Sequence, residues 1–386
     1  MPDIDFSKPV GKFKSTCFYD AILHEPLFQS VLFQFIAIAI YSLIYKIYFK
    51  YVLNMLFKDL ERCVFYITFS LLHYLITVIL ARGKINNNNL CDVRNKVAVV
   101  TGGCKGIGLN ISINLLKFGC TVIMISRDKS TAEAIIKLIT DSFWTNTKLI
   151  HFVQIDLDNF QSIKNCVDVI SKKFKQVDFI INNSGISVNN SKDDDKNSLL
   201  KHFNGNKVYS TNVMGHYILT EMLLPILKNN GRVINMSSFA HFYYKPESNV
   251  SSVDYIYGES KLANIHHATV LQRKFDYMNN GCMAFSCAPG ISMTNLFYEL
   301  NLVKNPQIAN LINFIVKIFG KTQNEAAQIV LFLCMTPRDQ LTGGSYYSNM
   351  KIGITSKFAS DIKLQKQFYE ETHALYQKLI SAEADM

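Results

Sequence analysis

Two stretches of this chain carry residues whose types and spacing could do chemistry. In YGESK a tyrosine and a lysine, Tyr257 and Lys261, stand four positions apart. On a helix such residues share one face. An unperturbed phenol, with a pKa near ~10, moves protons poorly at neutral pH. An ammonium beside it stabilises the phenolate and lowers that value, so the pair could protonate the oxygen of a carbonyl under reduction. Spacing alone does not select it, because Tyr347 and Lys351 in YSNMK repeat it. That second pair follows TGGS in what reads as the last strand, where i and i+4 lie about 13 Å apart at ~3.3 Å per residue. Those two side chains could not meet. The other stretch is TGGCKGIG, Thr101 to Gly108. Its glycines at 102, 106 and 108 let the backbone turn tightly and approach a pyrophosphate. A helix starting there would add free N–H groups and a partial positive charge.

Both stretches need elements to hold them. VAVV (97–100), TVIMIS (121–126), LIHFVQID (149–156), FIINN (179–183), RVINMS (232–237) and MAFSCA (283–288) read as buried strands. Segments such as GLNISINLLKFG and NCVDVISKKFKQ read as crossover helices between them. Near-continuous apolar strands alternating with helices predict a parallel sheet covered on both faces. The fold class is therefore α/β, a single Rossmann-type doubly wound domain over residues 94–355. The glycine loop then falls between the first strand and the first helix, where a dinucleotide binds. The second strand ends Ile125-Ser126-Arg127 in place of the acidic residue that marks NAD. A guanidinium suits a 2′-phosphate, and Lys105 could add a second cation. Asp128, next in sequence, opposes this. NADP(H) is expected over NAD(H).

These residues resemble the short-chain dehydrogenase/reductase family. Thr101–Gly108 is similar to its TGxxxGIG loop, with Cys104, Lys105 and Ile107 at the variable and penultimate places. Asp156 and Leu157 stand where the family holds the adenine ring. Asn182-Asn183-Ser184-Gly185 resembles its NNAG motif, with Ser for Ala, and Pro289-Gly290 leading to Thr294 resembles its PGxxxT segment over the nicotinamide. The resemblance assigns Tyr257 as general acid/base and gives Lys261 the tasks of tuning the phenol and holding the ribose. It has Ser238 hydrogen-bond the substrate oxygen, in preference to Ser237, and Asn212 anchor a water relay to the lysine. It spans about residues 94 to 355, with SSFAHF, SKLAN and MTP…TGGSYYSNMK closest to the membrane-bound retinol and polyprenol dehydrogenase branch.

The bulk composition points to a lipid setting. Hydrophobic residues make up 49% and charged residues only 18% of the 386 positions, an imbalance unusual for a soluble protein. Leu27–Tyr45 and Cys63–Leu80 are uncharged runs, each long enough at ~1.5 Å per residue to cross most of a ~30 Å hydrocarbon layer. They read as membrane helices within a 27–80 anchor, after a polar leader (1–26) and before a linker (81–93) that includes KINNNNLCD. Two spans would leave leader and catalytic domain on one side. The flanks on that side carry Lys8, Lys12, Lys14, Arg82, Lys84, Arg94 and Lys96 against Lys46, Lys50, Lys58 and Arg62 between the runs, which favours a cytosolic domain. YVLNMLF within that loop also fits a hairpin embedded in the bilayer. The expected location is the endoplasmic reticulum or lipid-droplet membrane. The net charge of +10 is spread without a basic block, so no nucleic-acid partner is expected. Nine scattered cysteines without C-x-x-C argue against a disulfide framework or a metal site. Residues 295–320 are long and apolar, as a lid over a lipophilic alcohol or carbonyl would be. A C-terminal helix over 356–386 and a homodimer complete the expectations. A steroid dehydrogenase and a membrane-anchored, non-catalytic dinucleotide-binding scaffold are the rival readings.

Overall fold

The computed structural model describes residues 4–6, 10–16, 90–143, 147–187, 198–203, 206–244, 253–290 and 321–384. The expected membrane anchor (27–80), Thr294 and the apolar stretch 295–320 lie outside them. Among the described residues no helix is long and apolar enough to cross a membrane. The chain divides into two compact units, residues 1–15 with 84–386, and residues 16–83. The first contains the sheet.

Strand β1 (Val97–Thr101) leads into helix α1 (Gly106–Lys117), followed by β2 (Thr121–Ser126) and α2 (Lys129–Phe143). Then come β3 (Ile150–Gln154), α3 (Phe160–Lys173) and β4 (Val177–Asn182). A π-turn over Ser210–Met214 runs into α4 (Gly215–Leu223), and β5 (Leu227–Met236) precedes the long α5 (Val253–Met278). The chain closes with β6 (Met283–Ala288), α6 (Gln323–Met335), β7 (Tyr346–Ser348), β8 (Lys351–Ile352) and α7 (Ile362–Ala384). The strand order is β3-β2-β1-β4-β5-β6-β7-β8. All neighbours are parallel except β7 and β8. The order reverses between β1 and β4, and such a reversal opens a crevice at the carboxyl ends of those strands.

Alternation along each strand feeds two cores. Ala98, Val100, Val122 and Met124 pack with Ile111 and Leu115 of α1 and with Val330 of α6. Val99, Ile123 and Ile125 face the other way, towards Ile163 of α3, Leu219 of α4 and Ala268 of α5. Burial on both faces explains why these strands read as unbroken apolar runs. The predicted strand bounds hold within a few residues, except that β5 begins five residues earlier, at Leu227. The C-terminal helix starts at Ile362, after a turn over Lys357–Ser360. Part of the leader returns to this body: Lys12 N–H donates to Ser345 Oγ at 2.8 Å, and Arg273 donates to the Asp5 carbonyl at 2.9 Å while lying over the Phe6 ring.

The YSNMK pair is separated, for a different reason than expected. The two residues do not share a strand. Asn349 and Met350 take positive φ of 50° and 60° and turn the chain into a hairpin. Tyr347 registers with Ile352, and Lys351 with Ser348. Neighbouring residues of a strand point to opposite faces, so Tyr347 enters the core, where its hydroxyl accepts from Thr342 N–H at 2.8 Å. Lys351 remains exposed.

Candidate active site

The glycine loop sits at the carboxyl end of β1. Gly102 takes φ +65°, a region that disfavours side chains. Gly108 lies so close to the turn that a Cβ there would fall 2.3 Å from the Gly102 carbonyl oxygen and 2.5 Å from Asn183 Nδ2. Helix α1 begins with Lys105 at its N-cap and no side chain bonded to the first amides. Those N–H groups and the helix dipole suit an anionic phosphate. The residues present thus fit a dinucleotide pyrophosphate, held by main chain. Cys104 is 2% exposed, so its side chain does not reach outward, and Ile107 is half-buried with part of its side chain packed against the core.

Arg127 is exposed just past β2. Asp128, the residue that opposed an anion here, is engaged elsewhere. Its carboxylate caps α2, accepting Thr131 N–H at 3.0 Å and the Ser130 hydroxyl at 2.8 Å as well as the Thr131 hydroxyl. The Thr131 hydroxyl, first among these partners, holds that carboxyl well below its usual range. Lys105 approaches the same carboxylate at 3.4 Å, so part of its charge is already answered. Asp156 accepts Asp158 N–H at 3.1 Å, and Leu157 is buried. Pro289 and Gly290 follow directly on β6.

Across the crevice, the Asn183–Gly185 loop is pinned by Thr101. The Thr101 hydroxyl accepts Asn183 N–H at 2.7 Å and Ser184 N–H at 2.8 Å, while Asn183 Nδ2 donates to the Thr101 carbonyl at 2.9 Å. Asn182 and Asn235 bond to each other beneath it at 2.8 Å and are buried.

Three elements then bring the four acid–base residues together. Asn212 lies in the π-turn, a distortion frequent at functional sites. Its side chain pairs with the next loop residue: Ile186 N–H donates to Oδ1 and Nδ2 donates to the Ile186 carbonyl, both at 2.8 Å. Ser238 follows β5 and caps a short turn through Ala240 N–H at 3.2 Å. Tyr257 and Lys261 share one face of α5, with Lys261 Nζ 5.3 Å from the Tyr257 ring centre. Nζ also donates to the Met236 carbonyl at 3.1 Å. A Cβ on Gly185 would lie 3.3 Å from that Nζ and 3.6 Å from Asn212 Oδ1, so loop, lysine and asparagine adjoin. Ser237 is set apart from its neighbour. It is buried, and its hydroxyl donates to the Lys261 carbonyl at 2.7 Å.

The expected net lowering of the tyrosine is outweighed in this arrangement. Burial drives the Tyr257 phenol above its ordinary range, with the Ser238 hydrogen bond opposing it. Burial also pulls Lys261 down to about 8. Desolvation disfavours the charged form of each, which a spacing rule cannot register. Sequence reasoning also passed over Thr101, His216 and Asp158. Thr101 opens the glycine loop and His216 lies four residues beyond Asn212, spacings that could have flagged both. Asp158 is buried and accepts from the Ser198 hydroxyl at 2.7 Å and from the Ser210 hydroxyl at the head of the π-turn; no local signal marks it.

Comparison with known proteins agrees with this geometry. A family model described as short chain dehydrogenase matches residues 96–305. Short-chain dehydrogenase TIC 32 A, chloroplastic, of Brassica napus is 26% identical, covering 75% of this chain and 91% of that protein. Polyprenol dehydrogenase of Homo sapiens is 28% identical, over 72% of this chain and 84% of that protein. L-sorbose reductase of Gluconobacter frateurii, solved with NADPH and L-sorbose, shares the fold. Its TM-score is 0.54 at 19% identity, over 69% of this chain and 98% of the other.

Proposed function

This chain belongs to the short-chain dehydrogenase family, and on that premise we propose that it interconverts a lipophilic alcohol and its carbonyl, retinoid or polyisoprenoid, with NADP(H) at a membrane. The observation that carries the reading is the meeting of Asn212, Ser238, Tyr257 and Lys261 beside the Asn183–Gly185 loop, which Thr101 ties to the glycine loop. A bound nicotinamide supplies the hydride. Ser238 and Tyr257 hydrogen-bond the substrate oxygen, and the Tyr257 hydroxyl gives its proton to that oxygen as it becomes an alkoxide. A phenol raised by burial stays protonated at neutral pH, the form a reduction requires. Lys261, still charged below about 8, offsets the phenolate left behind. Asn212 braces the Ile186 backbone so that the loop keeps its place beside Lys261. Arg127, exposed at the end of β2 while Asp128 is occupied in capping α2, supports a 2′-phosphate.

The lipid substrate and membrane anchoring rest on the apolar runs at 27–45 and 63–80, on the apolar stretch at 295–320, and on likeness to polyprenol dehydrogenase. The test is NADPH consumption by membranes containing the full chain, offered retinal, polyprenal and an oxosteroid in turn. Tyr257→Phe should cost about 10²- to 10⁴-fold in rate, the usual worth of a positioned proton donor. Equal rates for wild type and Tyr257→Phe on every carbonyl would remove the enzymatic reading and favour the scaffold. Turnover of the oxosteroid alone would reassign the substrate class.

A further inference from the structure

Two buried histidines stand directly behind the acid–base residues, and their contacts match. His216 Nδ1 lies 3.0 Å from the main-chain oxygen of Asn212, and His241 Nδ1 lies 2.6 Å from that of Ser238. In each ring Nε2 meets a group from a distant part of the chain: the Thr101 hydroxyl at 2.9 Å for His216, and Ser356 N–H at 3.1 Å for His241. Both side chains are buried, at 1% and 0% exposure.

Counting protons fixes the tautomer of both. An amide N–H only donates, so His241 Nε2 must be the bare acceptor for Ser356. The ring proton is then on Nδ1, which donates to the Ser238 carbonyl. At His216 the same result comes through Thr101. That hydroxyl already accepts the amides of Asn183 and Ser184, which fills its two lone pairs. It must therefore donate, and Nε2 at 2.9 Å is nearer than the alternative acceptor, the Ile181 carbonyl at 3.4 Å. His216 too is left with its proton on Nδ1, donating to Asn212. Burial pulls both rings down to about 4, so each is neutral at physiological pH and can present one donor and one acceptor.

We propose that His216 and His241 are positioning residues, each fixing one acid–base residue by donating Nδ1–H to its main-chain carbonyl while Nε2 ties it to a distant element. His216 joins the π-turn to the end of β1 and, through Thr101, to the Asn183–Ser184 loop. His241 joins the Ser238 turn to Ser356, beyond the β7–β8 hairpin. The four acid–base residues come from three separate elements, and these two rings limit how far Asn212 and Ser238 drift from Tyr257 and Lys261. The proposal rests on the oxidoreductase reading above.

Two measurements on the full chain in detergent test it. In the wild type labelled with ¹⁵N-histidine, NMR identifies which ring nitrogen carries the proton; Nδ1–H is expected at both positions, and Nε2–H at either overturns the assignment there. The second is kinetic, using NADPH and whichever of retinal, polyprenal or the oxosteroid the wild type reduces. Asparagine keeps a donor near the Nδ1 position, whereas glutamine places its amide near Nε2. His216→Gln and His241→Gln should each lose about 10- to 100-fold in kcat, the scale of a misplaced reacting group, with KM little changed. His216→Asn and His241→Asn should recover most of that loss. With an active wild type, Asn and Gln variants that behave alike, or a loss confined to KM, overturn the positioning role alone. An inert wild type overturns the oxidoreductase reading and this proposal with it. Where a variant does not fold, the ring-nitrogen measurement on the wild type still decides the tautomer on which the proposal stands.

Discussion

Replacing Thr101 with valine isolates the hydroxyl that joins the two halves of the crevice. Valine keeps the shape of threonine, so it opens no cavity, but it removes the partner of three polar groups. Asn183 N–H, Ser184 N–H and His216 Nε2 lie 2.7, 2.8 and 2.9 Å from that oxygen. A buried group left unpaired costs ~1–3 kcal/mol. Asn183 and Ser184 are only half-buried, so water can answer part of their loss and the low end applies to them. His216 is 1% exposed and takes the fuller penalty. The expected destabilisation is about 3–5 kcal/mol, or a fall in Tm of roughly 5–9 °C for a domain of this size. Thr101→Ser is the control, since it keeps the hydroxyl and loses one methyl, worth ~0.8 kcal/mol. Thermal unfolding of the solubilised full chain by circular dichroism compares the two, with NADPH titration as a second readout. If Thr101→Val unfolds within ~1 kcal/mol of Thr101→Ser, the three contacts are not holding the crevice together.

Three further outcomes follow from the same geometry. Gly108→Ala places a methyl 2.3 Å from the Gly102 oxygen and should weaken NADPH binding at least about tenfold, because the loop must open to admit it; unchanged affinity in a binding titration would show that the loop yields freely. Arg127→Asp should cut the NADPH-to-NADH ratio of kcat/KM by about 10- to 100-fold, since a hydrogen bond to a charged group is worth ~1.5–3 kcal/mol, and an unmoved ratio would take Arg127 out of cofactor choice. Lys261 is charged below about 8 and neutral above it, so reductive kcat/KM should fall as pH rises through that value. The same depression from 10.5 makes the unfolded chain bind the proton more tightly, so Lys261 adds stability as pH climbs from about 8 towards 10.5. A reductive profile flat to pH 10 would exclude Lys261 as the ionising group.

How much was legible can be followed residue by residue. TVIMIS and MAFSCA announce β2 and β6 with their observed bounds, because a strand covered on both faces is apolar throughout and stops where polarity begins. The glycine loop is equally local: its conformation depends on the absence of side chains at fixed positions, and sequence displays that directly. Tyr257 and Lys261 were readable as a pair because one helix carries both. Strand spacing places YSNMK in one extended strand, and the hairpin at Asn349–Met350 is not legible because positive φ at a methionine is not written in its residue type.

The sequence by itself thus determined what arises within one element: strand polarity, the helix that follows the glycine loop, and the shared face of Tyr257 and Lys261. Only the tertiary structure decided what depends on burial and on partners distant along the chain. It gave Ser237 to the Lys261 carbonyl while leaving Ser238 beside Tyr257, and set His216 between Thr101 and Asn212. It also reversed the expected shift of the phenol, since desolvation is a property of everything packed around Tyr257. Spacing could nominate these residues, but their protonation and their partners follow from where the folded chain excludes water.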